Sequence, residues 1–284
     1  SQILEALHAA GYLTTHQNRN LFFTEGNGGK DGLTKSCERR VRLLYKAGLV
    51  RRIEQPVKRG EGSKPYVYAL TRKGAEFLIA ELGIDPAEVD WRSKSYEQNT
   101  PFLSHLLATT DFQIALRDAC MGAGITVAEW FDERLLRMEG VDYVMLTGEN
   151  GQETKTAVIP DAVFILERDG KHGLFMVEID MRTVTVEPRL WSSKSWSKKV
   201  RAYSAYFDTE AFADRYEGRR ARVLTITTGD RRLSSLLHTT ERVAGEYKDQ
   251  FRFTTFEQAL DPSRLLTAPI WQVAGSNRPH SLLE

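Results

Sequence analysis

The apolar positions of the first ninety residues follow a helical period three times before they change to alternation. Residues 2–10 have apolar side chains at helical spacing and stop at Gly11. A second short helix is predicted from a cap at Thr14 or Thr15, and a third from an N-cap at Thr34. The buried stripe predicted for the third helix contains four residues: Leu33, Cys37, Val41 and Leu44.

Two alternating segments follow this third helix. "LVRRIEQ" (49–55) and "YVYALT" (66–71) have the pattern of strands, and the Gly- and Pro-rich residues between them predict a hairpin tip. A further helix is predicted from Thr71 to Leu82. Three helices followed by a basic two-stranded wing predict a winged helix-turn-helix domain over residues 1–90, in which the third helix enters the major groove of DNA.

A second domain is predicted over residues 101–260, after a polar joint that contains two prolines. The turns between the predicted strands 141–146, 157–166 and 173–180 are too short for parallel crossovers. These three strands are therefore predicted to form an antiparallel meander. The full pattern predicts an α/β (α+β) sandwich with a mixed sheet. The predicted elements, in order, are a helix (102–121), four strands (125–131, 141–146, 157–166, 173–180), a helix (190–207), a strand (222–228), a helix (231–247) and a short final strand.

Residues 261–284 are predicted to form a C-terminal tail. In this tail we expect Trp271 to dock on the body of the protein and the last ten residues to extend away from it.

Charge changes the interpretation of the first domain. The chain has a formal net charge of only +1, yet residues 30–73 contain thirteen Lys or Arg against four Asp or Glu. Such a local excess favours double-stranded DNA as partner. The alternative is a protein-interaction module whose charged face serves solubility. The predicted DNA contacts are Lys35, Ser36, Arg39, Arg40, Arg42, Lys46, Arg51, Arg52, Lys58, Arg59 and Lys64.

Several protein classes are disfavoured by composition. Cys37 and Cys120 are too far apart for a metal motif and too few for a disulfide framework. The apolar runs are much shorter than the roughly 20 residues of a membrane span, and the chain has no signal-like start. We therefore expect a cytoplasmic protein without a membrane partner.

Carboxylates in a buried strand are the candidate chemistry of the second domain. In "GLFMVEID" (173–180) the side chains of Glu178 and Asp180 point to the same face, and Asp161 lies on the neighbouring strand. Three ionised acids on a buried surface repel one another unless a cation offsets them. Mg²⁺ or Mn²⁺ could do so and could activate water for attack on a phosphodiester. Alternatively, Arg182, Arg189 or Lys199 neutralises the acids in a core without catalysis.

Pro160-Asp161 followed by Glu178 resembles the PD-(D/E)xK nuclease superfamily, whose core order of helix, meander, helix, strand and helix agrees with the predicted elements. The whole chain, with "IPDAVF", "FMVEID", Thr183 and "KKVRAYSAY" behind a winged helix, resembles the replication-relaxation family. This resemblance implies a role in replication, mobilisation or control of a plasmid or mobile element. The implied partners are replication or mobilisation proteins and a second copy of the chain.

The sequence departs from the nuclease pattern at one position. Where the superfamily has a lysine two residues after the second acid, this chain has Asp180. Some members have the lysine on the next helix, where Lys199 shares a face with Trp196, Tyr203 and Tyr206. The candidate catalytic set is then Asp161, Glu178, Asp180 and Lys199, of which the three acids are the candidate metal ligands.

Two hypotheses follow for the second domain. It is either a degenerate scaffold of a DNA-binding regulator, or a Mg²⁺-dependent endonuclease or nickase. Glu129 is a further candidate acid, with Asp132 and Glu133 as close competitors.

Overall fold

The structure is a computed structural model that describes residues 2–23, 29–57, 60, 62–86, 89, 100–148, 151–187 and 194–284. The chain forms two compact units, Ser1–Ile114 and Ala115–Glu284. Both combine helices and strands. Within the described residues, no helix is both long enough and apolar enough to span a membrane.

The first unit consists of helices and a three-stranded sheet with the strand order β1-β3-β2. Its core is formed mainly by Leu4, Leu7, Cys37, Val41 and Leu78, all of which are buried. The elements are α1 (Gln2–Ala10), β1 (Leu13–Thr14), α2 (Thr15–Phe22), α3 (Gly29–Lys46), β2 (Val50–Ile53), β3 (Val67–Leu70), α4 (Arg72–Leu82) and the first part of α5 (Thr100–Ala123).

Side-chain caps define the ends of the short helices. Thr14 caps α2 in a capping box with Gln17, in which each side chain bonds the backbone N–H of the other residue. Thr71 caps α4, whose last turn closes at Gly83 with φ +65°. These caps explain why α2 and α4 begin where the sequence predicted.

The predicted N-cap of α3 is wrong. The helix begins at Gly29, so Thr34 lies inside it rather than before it. Asp31 falls in the first turn, where its negative charge favours the helix N-terminus. Thr34 instead accepts a hydrogen bond from Arg19 Nη1 at 3.4 Å.

The second unit is organised around a seven-stranded mixed sheet, with the order β12-β11-β10-β9-β8-β7-β4. The pairs β4–β7 and β7–β8 are antiparallel, whereas β8–β9 and β9–β10 are parallel. The predicted mixed sheet is therefore confirmed. Its elements are β4 (Thr126–Asp132), α6 (Glu133–Glu139), β5 (Asp142–Thr147), β6 (Glu153–Val158), β7 (Ala162–Arg168), β8 (Lys171–Asp180), α7 (Trp196–Phe207), α8 (Glu210–Arg215), β9 (Ala221–Thr227), α9 (Asp230–Val243), β10 (Phe251–Thr255), α10 (Phe256–Ala259), α11 (Pro262–Leu265), β11 (Trp271–Val273) and β12 (Pro279–His280).

The predicted strand 157–166 is in fact two strands. β6 ends at Val158 and β7 begins at Ala162, and Pro160 between them has no backbone N–H to donate to a ladder. β6 pairs with β5 in a separate two-stranded sheet. The antiparallel part of the main sheet is consequently β4-β7-β8.

The C-terminal residues are packed, contrary to the expectation that the last ten extend away. Trp271 is fully buried and its indole N–H donates to Leu265 O at 3.1 Å. β12 pairs with β11, and Leu282 is fully buried. The expectation failed because the backbone carbonyls of this segment accept hydrogen bonds from Arg252 and Arg222, which lie on distant strands.

Candidate functional site

Glu178 lies in the middle of the main sheet, near the end of β8. Its side chain is only 3% exposed. Tyr203 Oη donates a hydrogen bond to Oε1 at 2.5 Å, and Lys199 Nζ donates to Oε2. The buried carboxylate is thus satisfied on both oxygens by a phenol and an ammonium group.

Both donors come from α7, where Lys199 and Tyr203 are four residues apart and so project from the same face. Ser195 caps this helix by accepting from Lys198 N at 3.2 Å. The indole N–H of Trp196 donates to Thr240 Oγ1 at 2.9 Å, which ties the start of α7 to α9. The structure therefore places Lys199 and Tyr203 on one face of α7, as the helical spacing predicted, and brings both to Glu178. The neighbouring Lys198 is buried.

Asp161 joins this group from the turn that precedes β7. Its backbone N–H donates to Val177 O at 2.9 Å, and its carboxylate Oδ2 accepts from Ile179 N at 2.7 Å. These bonds extend the pairing of β7 with β8 and bring the carboxylate close to Glu178. The negative charge of Asp161 is one of the causes that raise the pKa of Glu178.

Burial and neighbouring charges determine the protonation states of Glu178 and Lys199. Burial raises the pKa of Glu178 to about 7, although Lys199 and Tyr203 act to lower it. Burial also lowers the pKa of Lys199, but the charges of Glu178 and Asp161 outweigh this effect and raise it above its ordinary value. Lys199 therefore stays an ammonium group at neutral pH.

Asp180 has different partners from Asp161 and Glu178. Arg232, from the first turns of α9, donates Nε to Oδ2 and Nη2 to Oδ1, both at 2.8 Å. Thr227 Oγ1 donates to Oδ2 at 2.7 Å. The side chains of Asp180 and Arg232 are only 11% and 12% exposed, so the pair is mostly removed from water.

Arg232 was missed by reasoning from the sequence. The cations expected to neutralise the acids were Lys199, which binds Glu178, and two arginines: Arg182, which lies exposed at φ +61°, and Arg189, which is outside the described residues. The available signal was the pair of arginines that starts α9 directly after β9, the strand parallel to β8. A helix start at that position lies at the same sheet edge as the end of β8.

The three acids do not form the predicted metal site. The described residues contain no group of three or more His, Cys, Asp or Glu side chains that could hold a metal ion. Mg²⁺ requires near-octahedral oxygen coordination, yet both oxygens of Glu178 accept hydrogen bonds and Asp180 is bound by Arg232. The donor set therefore does not fit the three-carboxylate cation site that the nuclease resemblance implies.

The further candidate acids are distributed around the start of α6. Asp132 caps α6 by accepting from Leu135 N at 2.8 Å, and Glu129 is exposed. Glu133 pairs with Arg137, and its charge also contributes to the raised pKa of Lys199. Of these three acids, Glu133 is the one whose charge acts on Lys199.

A row of four cations lies on the outer face of α3 in the first unit: Lys35, Arg39, Arg42 and Lys46. Cys37 and Val41 on the opposite face are fully buried. Within the described residues, none of the row's basic side chains forms an ion pair. The exposed predicted contacts on α3 are Lys35, Ser36, Arg39, Arg40, Arg42 and Lys46.

The strands after α3 provide the remaining predicted contacts. Arg51 is half-buried, Arg52 and Lys64 are exposed, and Lys58 and Arg59 lie outside the described residues. The guanidinium of Arg52 lies over two tyrosine rings that the sequence analysis did not single out: Tyr45 and Tyr66.

Comparison with known proteins gives one family match. The family model described as replication-relaxation matches residues 4–220, more than half of the chain. No curated protein matches this sequence.

Two solved structures with weak similarity are of the restriction endonuclease FokI, the second of them bound to DNA. Each is 12% identical to this chain, with TM-scores of 0.29 and 0.28. The match covers 91% of this chain but only 41% and 42% of those chains, so this chain spans about two fifths of their length.

Proposed function

Because this chain belongs to the replication-relaxation family, we propose that it is a DNA-binding protein that acts in the replication, mobilisation or control of a plasmid or other mobile element. In this proposal the first unit binds double-stranded DNA, and the second unit is a nuclease-like core without catalysis. The setting is the cytoplasm, with replication or mobilisation proteins and a second copy of the chain as further partners.

The observation that carries DNA binding is the cation row on α3. Lys35, Arg39, Arg42 and Lys46 are exposed on the side of the helix that faces away from the core. Exposed cations that are not engaged by carboxylates within the described residues can each neutralise a phosphate and release counterions. A row of four over three helical turns matches a polyanion better than a compact ligand.

The order of elements supports a winged helix for the first unit. Three helices precede the β2–β3 hairpin, and β1 completes the sheet at the edge of β3. In such domains the third helix lies in the major groove and the hairpin contacts the flanking backbone. Under this assignment α3 is the recognition helix and the β2–β3 hairpin is the wing.

The pairing of the acids supports a core without catalysis. Lys199 and Tyr203 donate hydrogen bonds to the two carboxylate oxygens of Glu178, and Arg232 donates to the carboxylate of Asp180. A carboxylate that is buried and engaged on both oxygens stabilises the junction of sheet and helix instead of binding a cation. The acids are thus retained for structure, with their charges offset by α7 and α9.

One observation favours cleavage as a second candidate function. Lys199 reaches Glu178 from the helix after β8, and Asp161 is adjacent, so two acids and a lysine of the nuclease pattern are brought together. In this alternative, an endonuclease or nickase, Lys199 would stabilise charge on the attacked phosphate. Glu178 would have to be released by Lys199 and Tyr203 before it could act.

Incubation with supercoiled plasmid separates the two candidates. We expect the wild-type protein to retard the plasmid on a gel without nicking it, in Mg²⁺, Mn²⁺ or EDTA alike. Glu178→Ala should bind the plasmid equally well. Metal-dependent nicking that disappears in Glu178→Ala, but persists in a control substitution at exposed Glu129, would contradict the proposed core without catalysis. It would show that the second unit is a nuclease.

A further inference from the structure

A cluster of two tyrosines and an arginine lies beside the cation row of the first unit. Tyr45 is near the end of α3, Arg52 is in β2, and Tyr66 directly precedes β3. The guanidinium carbon of Arg52 lies 4.1 Å from the ring centroid of Tyr66 and 5.4 Å from that of Tyr45. Both rings remain in contact with water, with 39% of Tyr66 and 45% of Tyr45 exposed.

Strand register explains how this cluster forms. Arg52 is directly opposite Tyr68 in the β2–β3 ladder. Tyr66, two residues earlier, is therefore a diagonal neighbour of Arg52, within reach of a long side chain. The Gln55 side chain donates to Pro65 O at 2.7 Å and holds the two legs of the hairpin together beyond the ladder. The tight turn at Gly48, with φ +72°, returns the chain beside Tyr45.

The two rings and the exposed carboxylate of Glu54, 3.9 Å from Arg52 Nη2, account for the position of Arg52 but leave aromatic surface exposed. Large rings in water next to a row of cations are typical of surfaces that bind single strands, where bases stack on aromatic side chains and phosphates follow the positive charge. Bases inside a duplex cannot present their faces to a protein surface, whereas unpaired bases can. Arg42 and Lys46 supply further exposed positive charge on the same end of α3.

We propose that Tyr45 and Tyr66 form a stacking site for unpaired bases of DNA, with Arg52 as the cation that attracts the adjoining phosphates. This inference rests on the proposed DNA binding and deepens it. The first unit then binds a duplex through α3 and an unpaired segment through the tyrosines. Such a site fits DNA that has been opened or nicked.

Replacement of both rings by an apolar side chain without a π-face tests the site. The full-length double variant Tyr45→Leu/Tyr66→Leu is titrated with a fluorescein-labelled oligothymidylate and with a blunt duplex, and Kd is measured by anisotropy. We expect the Kd for the single strand to rise roughly tenfold for each ring removed. The Kd for the duplex should not change. Tyr45→Phe/Tyr66→Phe should bind both DNAs like the wild type.

A matched control is available in the second unit. Tyr143 is 51% exposed and has Lys155 Nζ 4.4 Å from its ring, so it is also an exposed aromatic residue with a cation. Tyr143→Leu should leave both Kd values unchanged. Unchanged single-strand binding in the double leucine variant would refute the stacking site. Equal weakening for both DNAs, with a lowered Tm, would also refute it and assign the rings to hairpin stability.

Duplex binding by the cation row and base stacking by the tyrosines can be refuted independently of each other. The duplex affinity of an Arg39→Glu/Arg42→Glu variant tests the cation row, whereas the tyrosine variants are judged by single-strand affinity. Loss of the stacking effect alone would leave duplex binding intact.

Discussion

Asp180 and Arg232 form a nearly buried, two-pronged ion pair, with both N···O distances at 2.8 Å. A guanidinium that binds both oxygens of a carboxylate fixes its orientation as well as its charge. The ion pair therefore acts as a clamp between the end of β8 and the start of α9.

Breaking this clamp should destabilise the protein. Arg232→Ala leaves Asp180 with Thr227 as its remaining side-chain donor among the described residues, and the loss of one partner of a buried pair costs about 3 kcal/mol. Urea denaturation measures the free energy of unfolding. Arg231→Ala, at an exposed neighbouring position of α9, should change it by less than about 0.5 kcal/mol. Similar values for the two variants would show that the clamp adds no stability.

Glu178 should give stability a distinct pH dependence. Burial raises its pKa to about 7 in the folded protein, from an ordinary glutamate pKa of 4.5. Between these values the folded state retains a proton that the unfolded state has released, so the free energy of unfolding falls as pH rises. The steepest slope is about 1.4 kcal/mol per pH unit.

The comparison with Glu178→Gln isolates this effect. We subtract the free energy of unfolding of Glu178→Gln from that of the wild type. This difference should decrease from about pH 4.5 to about pH 7 and should be constant below about pH 4.5. The substitution Glu129→Gln, at an exposed position, serves as control and should reproduce the wild-type curve. A difference that rises with pH would mean that Lys199 keeps Glu178 ionised throughout.

Charge reversal on α3 should weaken DNA binding and its dependence on salt. In Arg39→Glu/Arg42→Glu two phosphate contacts are lost, so the slope of log K against log salt should become shallower by about 0.9 per contact. Kd for a duplex is measured at several salt concentrations. Arg168→Glu/Arg231→Glu changes the net charge equally on exposed positions of the second unit and should retain the wild-type slope. The same salt dependence in both variants would contradict the proposal that α3 binds DNA.

Gly74 should not tolerate a side chain. A Cβ at this position would lie 2.0 Å from Leu49 O, because the start of α4 packs directly against the backbone of the turn before β2. Gly74→Ala should therefore cost about 2–3 kcal/mol through overpacking. Gly122→Ala, also within a helix but with open space around it, should be neutral or stabilising by up to about 1 kcal/mol. Thermal unfolding of the two variants provides the comparison, and a wild-type Tm for Gly74→Ala would contradict this packing.

Local patterns in the sequence predicted much of the fold because they depend on near neighbours. The helical stripe of Cys37 and Val41 determined which side of α3 is buried, and hence which side presents cations. The spacing of Lys199 and Tyr203 placed both on one face of α7. The break at Pro160 had a local signal as well, but the continuous apolar run across it concealed the end of β6.

Contacts between distant segments were decided only by the tertiary structure. Asp180 and Arg232 are 52 residues apart, and they meet because β9 lies parallel to β8 and α9 begins at the same sheet edge. Arg52 reaches Tyr45 and Tyr66 only through the β2–β3 register and the turn at Gly48. The sequence by itself determined which side chains share a face of a helix or strand, since that follows from backbone period. Which partner each face meets depends on strand order and register, and these arise from the packing of the whole sheet.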